Sequence, residues 1–185
     1  MIEITEKMNK FKNIPNSSVI VDGEEKWLSR STAVVVTIIL NNEKVLIVKR
    51  GKTISNSGKW CNPCGYLDWN ESGYQCAIRE CWEETGLDLK DIMENNPDCI
   101  KFQSMIYPWD IVTNPDLNHN QDIALYYGIH IHLDEEPLVS NENSKDEIDD
   151  VKWIGFDELK NYEFSFNHDK RILKYLKYIE SNQIS

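Results

Sequence analysis

The chain of 185 residues has no long hydrophobic run and no excess of basic charge. Its longest apolar stretch, residues 33–40 with Thr37 as the interruption, is far shorter than the roughly 20 residues that a membrane-spanning helix needs. No basic segment followed by an apolar run opens the sequence, so no secretory leader is expected. The net charge of −11 argues against broad binding to nucleic acid backbones, which needs clustered Lys and Arg. We therefore expect a cytoplasmic protein without membrane association.

The sequence also lacks internal repeats and low-complexity tracts. Its length suits one core, and we expect a single domain over residues 1–185 with a short N-terminal extension over about residues 1–28. Five cysteines, an odd number without framework spacing, indicate reduced thiols. Cys61 and Cys64 have the spacing of half a zinc site or a redox pair, but the sequence shows no second Cys/His pair to complete four zinc ligands.

Hydrophobic patterning predicts a mixed α and β fold. Thr32–Leu40 and Lys44–Arg50 are β-branched runs joined by three polar residues, which is typical of a hairpin. The remaining elements expected are strands over 123–133 and 150–154, a helix over 169–179, and loops over 110–122 and 134–150.

A further helix is predicted between Ser72 and Gly86. Ser72 followed three residues later by Gln75 is a capping-box pattern, and Gly86 suits the left-handed residue that ends a helix. At about 100° per residue, apolar residues should collect on one face and the carboxylates of Glu80, Glu83 and Glu84 on the other. The expected apolar face consists of Tyr74, Ala77, Ile78, Cys81, Trp82 and Thr85.

Glu80, Glu83 and Glu84 crowd into one helical turn beside Arg79. Like charges at this spacing destabilise a helix by about 0.2–0.5 kcal/mol per pair. Arg79, four residues before Glu83, can fix one carboxylate by a charge-assisted hydrogen bond, which leaves other oxygens free for a cation. Carboxylates without a nearby His suit a hard ion such as Mg²⁺ or Mn²⁺, which also bridges to phosphate oxygens. The alternative is a solvated acidic helix face.

Residues 65–87 fit the spacing G-x5-E-x7-R-E-U-x-E-E-x-G-U, in which U is a bulky aliphatic residue. This string resembles the signature of the Nudix hydrolase family, and the matching residues are Gly65, Glu71, Arg79, Glu80, Glu83, Glu84, Gly86 and Leu87. Cys81 departs from the pattern at an aliphatic position, and Cys64 replaces the first Gly of the turn before the box. The resemblance implies an α/β (α+β) fold, a Nudix-type α/β/α sandwich with a mixed β-sheet between helices.

The resemblance also implies roles for the box residues. Glu80, Glu83 and Glu84 occupy the positions of the metal ligands, Glu83 and Glu84 are expected to take part in catalysis, and Arg79 orients them. Glu71 is expected to be a weaker ligand or a helper for the helix. Cys64 is a candidate ligand through its backbone carbonyl.

A general base is expected outside the box. Residues 134–150 contain eight acidic residues against one Lys, and Glu147 stands six residues before Trp153, where several Nudix enzymes carry a catalytic carboxylate. Asp146, Asp149 and Asp150 are competitors, and a solvated acidic loop is the alternative interpretation.

Candidates for substrate binding are Arg50, Trp27 and Tyr107. Arg50 at a strand end is placed to touch phosphate, although a solvated strand end is the alternative, and the two aromatic residues could stack on a base or simply pack.

The implied activity is metal-dependent cleavage of the pyrophosphate linkage of a nucleoside diphosphate derivative or related organic pyrophosphate, by a monomer or homodimer. A catalytically silent nucleotide-sensing module and an allylic diphosphate isomerase remain alternatives; the isomerase would need a catalytic Cys, such as Cys61 or Cys64.

Overall fold

The computed structural model describes residues 18–27, 31–68, 70–114 and 122–182. A two-stranded hairpin is formed by β1 (Ser18–Val21) and β2 (Glu24–Trp27). The strands of the main sheet are β3 (Thr32–Leu40), β4 (Lys44–Arg50), β5 (Trp60–Cys61), β6 (Cys64–Tyr66), β7 (Ile100–Ser104), β8 (Asp110–Val112), β9 (Ile123–Ile131) and β10 (Ile148–Gly155). The helices are α1 (Gly73–Thr85), α2 (Leu89–Asn95) and α3 (His168–Asn182), with short 3-10 turns at Pro97–Cys99 and Phe156–Asn161. Among the described helices, none has the length and apolar character to cross a membrane.

The main sheet is mixed, as the sequence predicted. Its strand order is β10-β4-β3-β9-β7, with β5 added to β4, β6 to β3 and β8 to β9. β3 runs parallel to β9, from Thr32 opposite Ile123 to Leu40 opposite Ile131. The other pairings in the sheet are antiparallel.

The side chains of β3 divide between two cores, because alternate residues of a strand face opposite sides of the sheet. Val34, Val36 and Ile38 pack in one core with residues of α1 and α2. Ile39 packs in the other core with Ile172 and further residues of α3. Helices therefore cover both faces, which confirms the predicted sandwich.

Most of the elements expected from patterning are present. The β3–β4 hairpin is confirmed, and its turn residues Asn41 and Asn42 have φ angles of 55° and 58°. The strands over 123–133 and 150–154 correspond to β9 and β10, and the C-terminal helix to α3. The loop prediction for 110–122 was wrong at its start, where β8 pairs with β9, and the loop over 134–150 ends earlier because β10 begins at Ile148.

Helix α1 is capped as predicted, but its buried face does not consist of all the residues expected. Ser72 and Gln75 form both bonds of the capping box, and Gly86 has a φ of 70°. The expected division of faces was wrong for two residues. Glu84 is buried because, seven residues after Ala77, it lies only about 20° from it around the helix. Trp82 lies about 140° from Ala77 and is 47% exposed.

Candidate active site

A cleft of about 790 Å³ lies beside the carboxylate turn of α1. One wall is formed by α1 and by the β6 strand that precedes it. A second part of its lining, called the far wall below, is formed by the end of β4, the loop after it and the segment that leads into α3. The predicted site residues on its surface are Arg50, Cys64, Arg79, Glu80, Glu83, Glu84 and Glu147. The fold therefore brings together residues from four separate parts of the sequence.

Arg79 is the centre of the hydrogen-bond network in this wall. Its Nε and Nη2 donate to the two carboxylate oxygens of Glu71 at 3.1 and 2.6 Å. Its Nη1 donates to Glu80 at 2.5 Å and to Glu83 at 3.2 Å. The Asp68 backbone N–H also donates to Glu71, at 2.8 Å. Because both oxygens of Glu71 are used in this way, the geometry favours the helper role over the ligand role for Glu71.

The charge state of Glu71 follows from these contacts. Burial alone would raise the pKa of Glu71, but the hydrogen bonds from Arg79 and from the Asp68 backbone outweigh it and hold that pKa below its ordinary value. Burial opposes a charged guanidinium, yet the same carboxylates raise the pKa of Arg79 above its ordinary value. The pair is therefore ionised, and it fixes the turn between β6 and α1.

Glu80 is packed closely against the turn that precedes the box. A Cβ atom on Gly65 would overlap the Glu80 carboxylate, so a larger residue at this position would displace either that side chain or the turn. Burial is the main cause that raises the pKa of Glu80 to about 7, with Arg79 lowering it and the charges of Glu83 and Glu147 raising it further.

Glu84 is only 4% exposed. Its Oε2 accepts a 2.9 Å hydrogen bond from the backbone N–H of Cys64, and within the described ranges no Lys or Arg forms an ion pair with it. Burial, followed by the neighbouring Cys64 thiol and the Glu80 carboxylate, raises the pKa of Glu84 well above its ordinary value. A buried carboxylate without a cation is costly. A donor set of carboxylate oxygens therefore fits a hard divalent ion at this position.

Glu147 lines the same cleft from the end of the loop that precedes β10, the strand next to β4. The backbone N–H of Gly51 donates a 2.7 Å hydrogen bond to the Glu147 carbonyl, and a Cβ on Gly51 would lie 2.9 Å from that oxygen. Ile148 then pairs with Arg50 at the start of β10. Of the acidic residues at 146–150, all within the described ranges, Glu147 is the one on the cleft wall.

Arg50 is buried in the far wall of the cleft. Its Nε donates to the Ser55 carbonyl at 2.6 Å, and its guanidinium lies 5.0 Å from the centre of the Phe166 ring. The other two predicted substrate contacts are not placed here. Trp27 lies in β2, and its side chain is outside the part of the chain that the structure describes. Tyr107 is 79% exposed in the turn between β7 and β8 and is not part of the cleft wall.

Sequence reasoning missed the segment before α3, which supplies much of the far wall. Phe164 forms a bridge with Trp60, and the Ser165 N–H donates to the Trp60 carbonyl at 2.8 Å. The Asn62 backbone N–H donates to Nδ1 of His168 at 3.0 Å. These contacts join segments far apart in sequence, so no local pattern could have indicated them.

The sequence of this chain was compared with protein families and with characterised proteins. The NUDIX domain model matches residues 30–176. The m7GpppN-mRNA hydrolase of Saccharomyces cerevisiae (strain ATCC 204508 / S288c) is 26% identical over 127 residues, which cover 69% of this chain and 11% of that protein. The chain thus spans only about a tenth of the length of the curated relatives it matches.

Two solved structures resemble the fold over most of the chain. A bifunctional NMN adenylyltransferase/ADP ribose pyrophosphatase from Francisella tularensis, complexed with AMP and a Mn ion, has a TM-score of 0.67 at 23% identity, over 82% of this chain and 42% of that one. The NUDIX domain of Shewanella oneidensis NrtR, complexed with ADP ribose, has a TM-score of 0.60 at 16% identity, over 82% and 89% of the two chains. At these identities the likeness shows the fold alone.

Proposed function

We propose that this chain, which belongs to the NUDIX family and is a Nudix phosphohydrolase, cleaves the pyrophosphate linkage of a nucleoside diphosphate derivative or a related organic pyrophosphate. The reaction would require Mg²⁺ or Mn²⁺. The substrate is a small phosphorylated molecule, in keeping with a net charge of −11 that opposes broad contact with a nucleic acid backbone.

One observation carries the proposal. Three carboxylates of α1 line a single cleft, and two of them, Glu80 and Glu84, are largely buried. Among the described residues, Arg79 is the guanidinium that forms ion pairs with this turn, and it already shares its charge between Glu71, Glu80 and Glu83. The negative charge left over is what a hard divalent ion would neutralise.

In the proposed mechanism Glu80, Glu83 and Glu84 hold the ion. When bound, it would draw charge off the phosphates and lower the pKa of a nearby water. Arg79 keeps Glu80 and Glu83 in position through its bonds of 2.5 and 3.2 Å. Glu147, on the cleft wall, takes the proton from the attacking water as general base.

The far wall is proposed to hold the phosphates and the group attached to them. Arg50 has five N–H donors, and those not used by Ser55 can face a phosphate oxygen. Phe166, half-buried in the lining of the same cleft, is the aromatic ring proposed to contact a base or sugar, whereas Tyr126 is 4% exposed and has the Arg171 guanidinium 5.0 Å from its ring centre. Arg171 is paired with Asp110 at 2.7 Å, so its charge is already compensated and Arg50 is the preferred phosphate contact.

The test is a product survey on the purified chain with Mg²⁺ or Mn²⁺. The panel contains ADP ribose, nucleotide sugars, dinucleoside polyphosphates, nucleoside triphosphates and an m7G-capped RNA, with products identified by mass spectrometry. We expect cleavage at a phosphoanhydride, and none in the presence of chelator. The Glu83→Gln variant, run in parallel, separates this activity from a contaminating phosphatase. Absence of cleavage across the panel, with tight binding of one member, would support the nucleotide-sensing alternative instead.

A further inference from the structure

Cys61, Cys64 and His168 lie together at the edge of the cleft. Their ligand atoms, two thiol sulfurs and one imidazole nitrogen, are all within 4.8 Å of one another. Cys61 and His168 are buried, whereas Cys64 is half-buried, and both Cys64 and His168 line the cleft. We propose that these three side chains form a second metal site, separate from the carboxylates of α1, which binds a thiophilic ion such as Zn²⁺.

The fold supplies the ligand that the sequence lacked. β5 ends at Cys61 and β6 begins at Cys64, and the turn between them brings the two thiol sulfurs within 4.8 Å of each other. His168 is the first residue of α3 and is held against this turn by the Asn62 N–H. His168, more than 100 residues after Cys61 and Cys64 in the sequence, thus adds a third donor atom to the two thiols.

The donor set determines which ion the site selects. Sulfur and imidazole ligands suit Zn²⁺, whereas carboxylate oxygens suit Mg²⁺ or Mn²⁺, so the two neighbouring sites would not compete for the same ion. Two Cys and one His, with a fourth position left open, are an established zinc arrangement. With Zn–S near about 2.3 Å and Zn–N near about 2.0 Å, tetrahedral ligands lie roughly 3.5–4 Å apart, so small side-chain rotations suffice.

The surroundings are compatible with such an ion. Arg50 lies close enough to Cys64 and His168 to influence both electrostatically. Since two thiolates cancel the charge of Zn²⁺, a filled site adds no net positive charge beside that guanidinium. Ser165 is 3% exposed, and its hydroxyl has no hydrogen-bond partner in the described part of the chain. Its carbonyl accepts the His168 N–H at 3.0 Å, and Ser165 lines the same cleft as Cys64 and His168, so a polar group without a partner is available near the cluster.

One hydrogen bond must change when the ion binds. A neutral imidazole has a single in-plane lone pair, and that of His168 accepts the Asn62 N–H. A metal ion on this imidazole requires the same lone pair. Occupancy should therefore break the Asn62 hydrogen bond and shift the amide resonance of Asn62 in an NMR spectrum.

The experiment is a Co²⁺ titration of the reduced full chain in excess Mg²⁺, which fills the carboxylate site. Co²⁺ bound by thiolate gives a near-ultraviolet charge-transfer band that carboxylate ligation does not give. We expect this band at one Co²⁺ per chain, its displacement by Zn²⁺, and its loss in Cys64→Ser. Removal of His168 in His168→Gln should weaken binding by at least the ~10–100-fold that even outer-shell partners contribute.

Two controls make the result decisive. Cys99→Ser changes a cysteine outside the cluster and should leave the band unchanged, as should Glu83→Gln, which alters only the carboxylate site. Cys61→Ser should also lose the band; if that variant fails to fold, protection of the half-buried wild-type Cys64 from alkylation by Zn²⁺, with Cys99 still labelled, replaces it. Absence of the band in the folded wild-type chain, or a band that persists in Cys64→Ser, would overturn the proposal.

Discussion

Arg79 donates two hydrogen bonds to the Glu71 carboxylate, from Nε at 3.1 Å and from Nη2 at 2.6 Å. This two-point contact joins the start of the box to the middle of α1, and Glu71 is almost fully buried, with 4% of its side chain exposed. The box is thus stabilised by an ion pair whose guanidinium also contacts Glu80 and Glu83, so Arg79 links the start of the box to the carboxylates of the cleft.

Replacing Glu71 by Gln should destabilise the fold by about 2 kcal/mol, because charge-assisted hydrogen bonds are lost and the Arg79 guanidinium loses its main partner. Urea unfolding measures the change. Glu163→Gln is the matched control: its ion pair with Lys59 is on the surface, with 75% of the Glu163 side chain exposed, and should be worth less than about 1 kcal/mol. Equal effects of the two substitutions would contradict this assignment.

Glu83→Gln should lower kcat by at least about 100-fold while leaving the free energy of unfolding nearly unchanged. A quarter of the Glu83 side chain is exposed and its ion pair with Arg79 is 3.2 Å long, so it contributes little to folding. Its proposed role is to hold the ion that promotes the reaction. Steady-state kinetics and urea unfolding give the two numbers, with the exposed Glu94→Gln as a control on α2. A variant that kept most of its activity would remove Glu83 from the site.

Gly65→Ala should impair activity through the position of Glu80. The added Cβ would overlap the Glu80 carboxylate, so either that side chain or the turn has to move. Mg²⁺ affinity and kcat should both fall. Gly155→Ala provides the comparison, because there the Cβ meets the tips of the exposed Asp157 and Glu158 side chains, which can move aside. A normal Mg²⁺ affinity in Gly65→Ala would show that the close packing has no functional role.

The metal affinity should rise with pH through about 7. Burial raises the pKa of Glu80 to about 7 in the folded, metal-free protein, and ion binding must displace that proton. The same shift has the opposite consequence for the empty protein: the folded state retains a proton that the unfolded state releases, so this contribution to stability is present at low pH and is lost as the pH rises from about 4.5 to 7. Calorimetric Mg²⁺ titrations at pH 6 and 8 test the first statement, and thermal unfolding without metal tests the second. Both dependences should flatten in Glu80→Gln.

Glu147→Gln should reduce kcat by about 10²–10⁴-fold, the usual contribution of a general base, as measured by steady-state kinetics at saturating Mg²⁺. Asp146→Asn is the neighbouring control, since Asp146 is not on the cleft wall. If the two variants had the same activity, the base would have to be sought elsewhere on the wall.

The sequence could predict those parts of the molecule that depend on local spacing. The capping box at Ser72, the carboxylate turn and the β3–β4 hairpin each follow from residues within a few positions of one another. The position of Glu84 could have been predicted as well, because its seven-residue spacing from Ala77 already placed it on the buried face.

The far wall of the cleft could not be predicted in this way. Phe164 reaches Trp60, and His168 reaches Asn62, only through contacts between the start of α3 and the β5–β6 turn. Neither segment contains a sequence pattern that predicts its contact with the other. The same holds for Tyr107, whose position in the sequence suggested a substrate contact but whose side chain lies in an exposed turn.

The parallel pairing of β3 with β9 has a consequence for how the chain acquires its activity. Thr32 pairs with Ile123, so a long intervening segment must be closed into a loop before the central strands meet, and such non-local contacts are slow to form. α1 lies inside that loop, whereas Glu147 and His168 follow it. During synthesis the box would therefore be made long before its partners. An ion that binds only the native state stabilises that state. Mg²⁺ should therefore raise the free energy of unfolding of the whole folded domain, and it should not stabilise a fragment that ends before Glu147.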